Sequence, residues 1–210
     1  MNKRELFVTF EGIEGAGKST QARLLEKYVS ELGYPVFLTR EPGGTFISEQ
    51  IRKIILEPQN TKMTEVTELF LYLASRAQHV KEIILPNLNK GVIVICDRFS
   101  DATLAYQGYA RGLDVDFLKE INKVATDGLE PDLTVLLDME VKDSLLRKQD
   151  QVLNRIDKEN FEFHNKVRRG YLEIAKKEPD RVKVVDANSV IDNVHKNITR
   201  LIDDLLSGCF

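Results

Sequence analysis

The sequence predicts an α/β protein built on a parallel sheet, and three observations carry that expectation. Five short β-rich runs are spaced along the chain, at residues 6–10, 36–39, 92–96, 133–137 and 182–185. Most are continuous in apolar residues rather than alternating, the pattern of strands covered on both faces. Between them lie segments with apolar residues at helical spacing. Strands alternating with helices of this length make βαβ units with right-handed crossovers.

Each helical pattern has its own stop. Residues 20–32 end at Gly33, 65–89 at Gly91 and 115–126 at Gly128, while 158–177 run to Pro179 and 190–206 to Gly208. Glycine or proline just past the last periodic residue is the usual terminus. No Pro/Gly/Ser-rich linker, repeat or low-complexity block breaks the 210 residues. The expectation is one domain over 1–210, a length that supports a full core once but is marginal for two.

Composition narrows the function classes. With 42% hydrophobic and 30% charged residues, the chain is not disordered, collagen-like or a disulfide scaffold. A net charge of −3 argues against a nucleic-acid partner, since dedicated binders carry a basic excess. Cys96 sits within an apolar run and reads as a small buried hydrophobe. Its distance from Cys209 suggests neither a metal site nor a disulfide framework. The apolar stretch before the first glycines is too short for a signal peptide, and none approaches a membrane span. The reading is cytoplasmic, with no membrane partner.

The strongest local signal is Gly12-Ile13-Glu14-Gly15-Ala16-Gly17-Lys18-Ser19. It fits G-x-x-x-x-G-K-[ST], with an apolar strand before it and an amphipathic helix after it, the context that confirms a P-loop. Glycines let backbone N–H groups wrap the phosphates at φ values other residues resist. Lys18 reaches the β and γ phosphates of ATP, the Ser19 hydroxyl ligates Mg²⁺, and the helix start at Thr20 adds a favourable dipole. Residues 12–20 are thus the expected ATP-binding segment. Asp97 ends a buried strand, where P-loop enzymes place the carboxylate that steadies the metal, and Arg98 follows it. Asp138 also ends a strand but opens a helical stretch, and reads as a helix cap.

Several P-loop classes fall away. A GTPase needs N-K-x-D, and the nearest string, Asn122 to Ala125, lacks the aspartate. A transporter ATPase needs an LSGGQ-like signature, which is absent. What remains is a set of polar and aromatic groups suited to a small phosphorylated acceptor.

Arg40-Glu-Pro-Gly-Gly-Thr45, then FLYLASR from Phe70 to Arg76, then Asp97-Arg98-Phe99, then Ala105-Tyr-Gln-Gly108 occur in that order. In this order the motifs resemble those of the thymidylate kinase family, and the likeness covers nearly the whole chain. It implies a five-stranded parallel sheet in order 2-3-1-4-5 with helices on both faces, a short lid over 141–157 and a homodimer. It also implies transfer of the γ-phosphoryl of ATP to dTMP, giving dTDP and ADP for dTTP synthesis. The family's roles then map onto single residues. Phe70 stacks on thymine and Arg76 donates to a thymine carbonyl, as an aromatic face and a guanidinium suit a flat carbonyl-bearing base. Arg98 and Arg40 hold the acceptor phosphate, and Glu14 addresses the 3′-hydroxyl. Tyr106 packs on the deoxyribose where a 2′-hydroxyl would not fit, Gln107 shares that pocket, and Pro42 walls it.

Two departures stand out. Where the family has Ser, Thr or Asn facing the base, this chain has Ala102-Thr103, which leaves the role to Thr103. No cation occurs among residues 13–16, so transition-state charge falls to the lid, which offers Arg147, Lys148 and Arg155. Of these, Arg155 fits the family's lid ending best, with Arg147 second. Since a phosphate oxygen of dTMP is already ionised, no general base is required. Catalysis is positioning and charge neutralisation by Lys18, Arg98 and the lid arginines. The alternatives are a deoxynucleoside kinase, which needs a carboxylate base beside a 5′-hydroxyl, and a P-loop switch or assembly ATPase. Residues 186–188, after the last strand, are a candidate for contact with adenine.

Overall fold

The computed structural model describes residues 5–149 and 152–208. Cys209 and the lid residues Asp150 and Gln151 lie outside them. Five parallel strands form one sheet in the order β2-β3-β1-β4-β5. They are β1 (Phe7–Glu11), β2 (Val36–Arg40), β3 (Ile93–Asp97), β4 (Leu133–Asp138) and β5 (Val182–Asp186). Each runs one residue past the apolar run that marks it, and each ends on a charged residue: Glu11, Arg40, Asp97, Asp138 and Asp186. Charge therefore collects along the carboxyl edge, where ligands bind in open α/β sheets.

Alternate side chains enter two cores. Val8, Phe10, Ile93 and Ile95 share one with Ala22, Leu25 and Val29 of α1 (Lys18–Glu31). Phe7, Val94 and Cys96 share the other with Val80, Ile84, Leu88 and Phe99. The central strands are buried on both faces, which is why they read as unbroken apolar runs. Truncating a fully buried residue such as Leu25 to alanine costs about 2–5 kcal/mol.

The helices refine the expectations. α1 starts at Lys18 because Gly17, at φ 92, turns the chain into it. α2 (Phe46–Leu56) was not foreseen, although Thr45 is an N-cap whose side chain accepts from the Ser48 amide. The pattern over 65–89 divides into α3 (Glu65–His79), a π-helical turn Val80–Ile84 and α4 (Leu85–Leu88). Pro86 has no N–H to give the preceding turn, and the ladder shifts register just before it. α5 (Ser100–Thr103) runs into a second π-helical stretch, Leu104–Ala110, that carries the AYQG motif. α6 (Val115–Thr126) has the expected ends, and α7 (Val141–Leu146) follows β4. α8 (Phe161–Lys177) begins later than expected because Asn160 caps it, and α9 (Ile191–Ser207) closes the chain. Asp138 caps nothing. α7 starts after Glu140, and Asp138 instead accepts both arms of Arg168 at 2.7 and 3.0 Å.

Candidate active site

At the carboxyl edge, residues 12–17 leave β1 and fold over the start of α1. Gly12 (φ 137) and Gly15 (φ 78) have no substitute: a Cβ would meet the Leu137 carbonyl oxygen at 2.4 Å or that of Ser144 at 2.6 Å. Lys18 Nζ donates to the Ile13 carbonyl at 2.7 Å from inside the loop. Burial, then Arg98, pushes its ammonium down to about 8. The Ser19 hydroxyl donates to Asp97, joining the start of α1 to the end of β3. A hydroxyl and a carboxylate are hard oxygen donors of the kind Mg²⁺ takes, alongside substrate phosphates. Among the described residues no cluster of three or more His, Cys, Asp or Glu could hold a metal alone.

Arg98 adopts φ 73, a left-handed backbone that a non-glycine residue takes at a cost of about 1–3 kcal/mol. Its surroundings enforce it. The backbone amide donates to Phe10 at 2.9 Å. The side chain donates to the Gly12 carbonyl, Tyr171, Glu14 and Tyr106 at 2.8–3.1 Å. Tyr106 in turn donates to Glu14 at 2.5 Å. Burial opposes ionisation of Glu14, but Arg98 and then Lys18 outweigh it and bring its pKa to about 2. Glu11 accepts from the Phe99 amide at 2.7 Å and from Tyr171 at 2.6 Å, yet burial lifts it to about 7.

A cavity of about 310 Å³ opens beneath this edge. It gathers Glu14, Lys18, Ser19, Arg40, Pro42, Arg76, Asp97, Arg98, Thr103, Tyr106 and Gln107 from separate motifs. Arg76 is 2% exposed and donates to Glu41, Thr103, Asn122 and the Phe99 carbonyl at 2.7–2.8 Å. Four of its five N–H groups are thus used, and one remains. Arg40 donates from Nη2 to both carboxylate oxygens of Glu49, at 2.8 and 3.0 Å.

Two expected site residues, Phe70 and Arg155, lie outside this cavity, and two of its lining residues, Tyr72 and Arg52, were not foreseen. Phe70 does not line the cavity and is 53% exposed, whereas Tyr72 does line it. Residues i and i+4 share a helix face, so the aromatic beside Arg76 is Tyr72, and Phe70 is turned away. Arg155 does not line it either: its guanidinium donates to the Ile55 carbonyl at 2.8 Å and to Glu68 at 2.5 Å. Lys148 lines the cavity and pairs with Asp157. Arg52, missed in the sequence because α2 was, lines it as well, with Nη1 on the Pro42 carbonyl at 2.7 Å.

A second, more open cavity of about 850 Å³ flanks the other side of the P-loop. Gly15, Gly17, Thr20, Arg147, Ala187 and Asn188 are among its lining. Arg147 Nη2 donates to the Ala187 carbonyl at 3.2 Å. Asp186 stays outside and accepts from the Asn188 amide and side chain.

A P-loop with a cation-lined cavity on one side and an open groove on the other suits a nucleotide kinase. The thymidylate kinase family model matches residues 10–198. A thymidylate kinase of Symbiobacterium thermophilum is 48% identical over 205 residues, covering 98% of this chain and 96% of that protein. One of Syntrophotalea carbinolica is 50% identical over 90% of each. The crystal structure of thymidylate kinase from Ehrlichia chaffeensis superposes with a TM-score of 0.76 at 36% identity, covering 94% of this chain and 98% of that one. The chain belongs to the thymidylate kinase family.

Proposed function

We infer that the 310 Å³ cavity seats dTMP and the open groove seats ATP. The chain is a dTMP kinase: it transfers the γ-phosphoryl of ATP to dTMP, giving dTDP and ADP. The observation that carries the assignment of the sites is the convergence of the four motifs on one cavity directly beside Lys18. Tyr72 stacks on the base, the remaining N–H of Arg76 meets a thymine carbonyl, and Thr103 orients that guanidinium. Tyr106 closes the space beside the sugar, with Glu14 ionised for the 3′-hydroxyl and Gln107 behind it. Pro42 walls the phosphate end, where Arg40, Arg52 and Arg98 gather. Burial, then repulsion from Arg40, lowers the pKa of Arg52.

Ser19 and Asp97 would hold a Mg²⁺ ion, which when bound offsets phosphate charge. Lys18 and the residue 12–17 amides hold the donor phosphates, and Arg98 orients the acceptor phosphate for in-line attack. Arg147, which already contacts the P-loop side of the groove, is the lid cation placed to meet the transferring group. Residues 1–210 act as one catalytic unit, with 141–157 as its lid. A homodimer gives Phe70 a place. Val66 and Phe70 on α3, Ile47 and Ile54 on α2, and Phe117 and Val124 on α6 form exposed apolar stripes at helical spacing. Among the described residues no helix is long and apolar enough to cross a membrane, and we place the enzyme in the cytoplasm.

ADP release tests the kinase reading. With ATP and Mg²⁺ alone it should be slow, and dTMP should stimulate it strongly. Hydrolysis unaffected by dTMP would support the switch-ATPase class instead.

A further inference from the structure

Glu68 on α3 is 1% exposed, yet it is charged and lies outside the machinery just described. Its Oε1 accepts from Gln107 at 2.8 Å, and its Oε2 from Arg155 at 2.5 Å. Arg111 reaches both oxygens at 3.2–3.3 Å and continues to Glu159 at 2.6 Å. One buried carboxylate thus ties α3 to the π-helical stretch and to the segment entering α8. Burial opposes its ionisation, but Arg111, then Gln107 and Arg155, hold its pKa below the usual carboxylate range.

Arg155 has a second anchorage. Its Nε donates to the Ile55 carbonyl and its backbone amide to the Leu56 carbonyl at 3.1 Å. These are the last two residues of α2, where carbonyls lack helical partners and the helix dipole favours a cation. The neighbours of these anchors matter, because Leu56, Gln107, Asn154 and Ile156 all line the acceptor cavity.

We propose that Glu68 is a positioning residue for the acceptor: by holding Arg155 and Gln107 it fixes Asn154 and Ile156, on either side of Arg155, as part of the cavity wall. Arg155 is accordingly a latch rather than a transition-state cation. The proposal rests on the reading that this cavity takes dTMP. A buried carboxylate and its part-buried arginine partner in one hydrogen-bonded network act as a unit, so losing either should cost about as much as losing both.

The test is a kinetic double-mutant cycle on the full-length enzyme with Glu68→Gln, Arg155→Ala and the pair. Each single variant should raise KM for dTMP by about two- to more than a hundredfold, the range of contact couplings, while kcat and KM for ATP change little. The double variant should be no worse than the poorer single one. Arg155→Lys, which keeps charge but not the fork, should recover part of the loss. Amide hydrogen exchange should accelerate at 152–160 in each variant. The proposal is overturned if Arg155→Ala lowers kcat while Glu68→Gln changes nothing, if the two effects multiply, or if exchange at 152–160 is unaltered. Should Arg155→Ala fail to fold, Glu68→Gln and Arg155→Lys make the same comparison. Tyr72→Ala serves as the control: an unchanged KM for dTMP there would reject the cavity assignment itself.

Discussion

Replacing Arg76 by alanine should damage the fold and the acceptor site together, and the structure sets both magnitudes. The guanidinium has 2% exposure and joins Glu41, Thr103, Asn122 and the Phe99 carbonyl, with its Cζ 5.4 Å from the centre of the Phe99 ring. Its removal leaves Glu41, 5% exposed, with His79 as its remaining side-chain partner. Breaking a buried ion pair from one side costs about 3–5 kcal/mol. In a chain of this size, 1 kcal/mol moves Tm by roughly 2–4 °C, so the expected drop is about 6–20 °C. Loss of the N–H offered to a thymine carbonyl removes about 1.5–3 kcal/mol more from dTMP binding, roughly ten- to more than a hundredfold in affinity. Calorimetry beside steady-state kinetics reads both, and KM for ATP should move far less. A Tm within about 3 °C of wild type, below the smallest shift expected for a broken buried pair, would refute the reasoning. Equal losses for the two nucleotides would make Arg76 structural only.

Lys18→Ala and Asp97→Ala should each nearly abolish transfer with an unchanged circular dichroism spectrum; half-normal activity in either would contradict the site. Because burial and Arg98 push Lys18 down to about 8, and its cationic form meets the phosphates, kcat/KM for ATP should fall as pH rises through about 8. A profile flat to well above that value would contradict the lowered pKa of Lys18. Tyr72→Ala should weaken dTMP by about 1–3 kcal/mol, the worth of stacking one base on an aromatic ring, whereas Phe70→Ala should leave KM unchanged; the reverse order would restore Phe70 to the base. Arg147→Ala should depress kcat more than KM, by up to about a factor of 10³ if it stabilises transition-state charge. A rise in KM for ATP alone would make it a cover.

Much of this was legible in the sequence because the requirements are local. A phosphate loop must have glycines where a Cβ would strike the Leu137 and Ser144 carbonyls, and buried parallel strands must be apolar throughout. Less legible were helical phase and long-range pairing. Phe70 and Tyr72 are both aromatic in one apolar helix, and only the four-residue step to Arg76 separates them. Arg155 looked like a catalytic lid cation, but its partner Glu68 lies 87 positions away, as Asp138 lies 30 from Arg168. Sequence spacing carries no sign of such pairs. The first π-helical turn lies just before Pro86, the second over Leu104–Ala110 has no such marker, and no simple periodicity announces either.

The central claim is that the cavity beside Lys18 receives a thymidine nucleotide that already bears a phosphate. Its most direct measurement compares dTMP with thymidine as acceptor, with ATP and Mg²⁺ held constant, by following dTDP and ADP together. From dTMP, dTDP and ADP should form in equal amounts, and thymidine should not be phosphorylated, because Arg40, Arg52 and Arg98 line the cavity and a nucleoside brings them no anion. Efficient phosphorylation of thymidine, with dTMP left untouched, would contradict it.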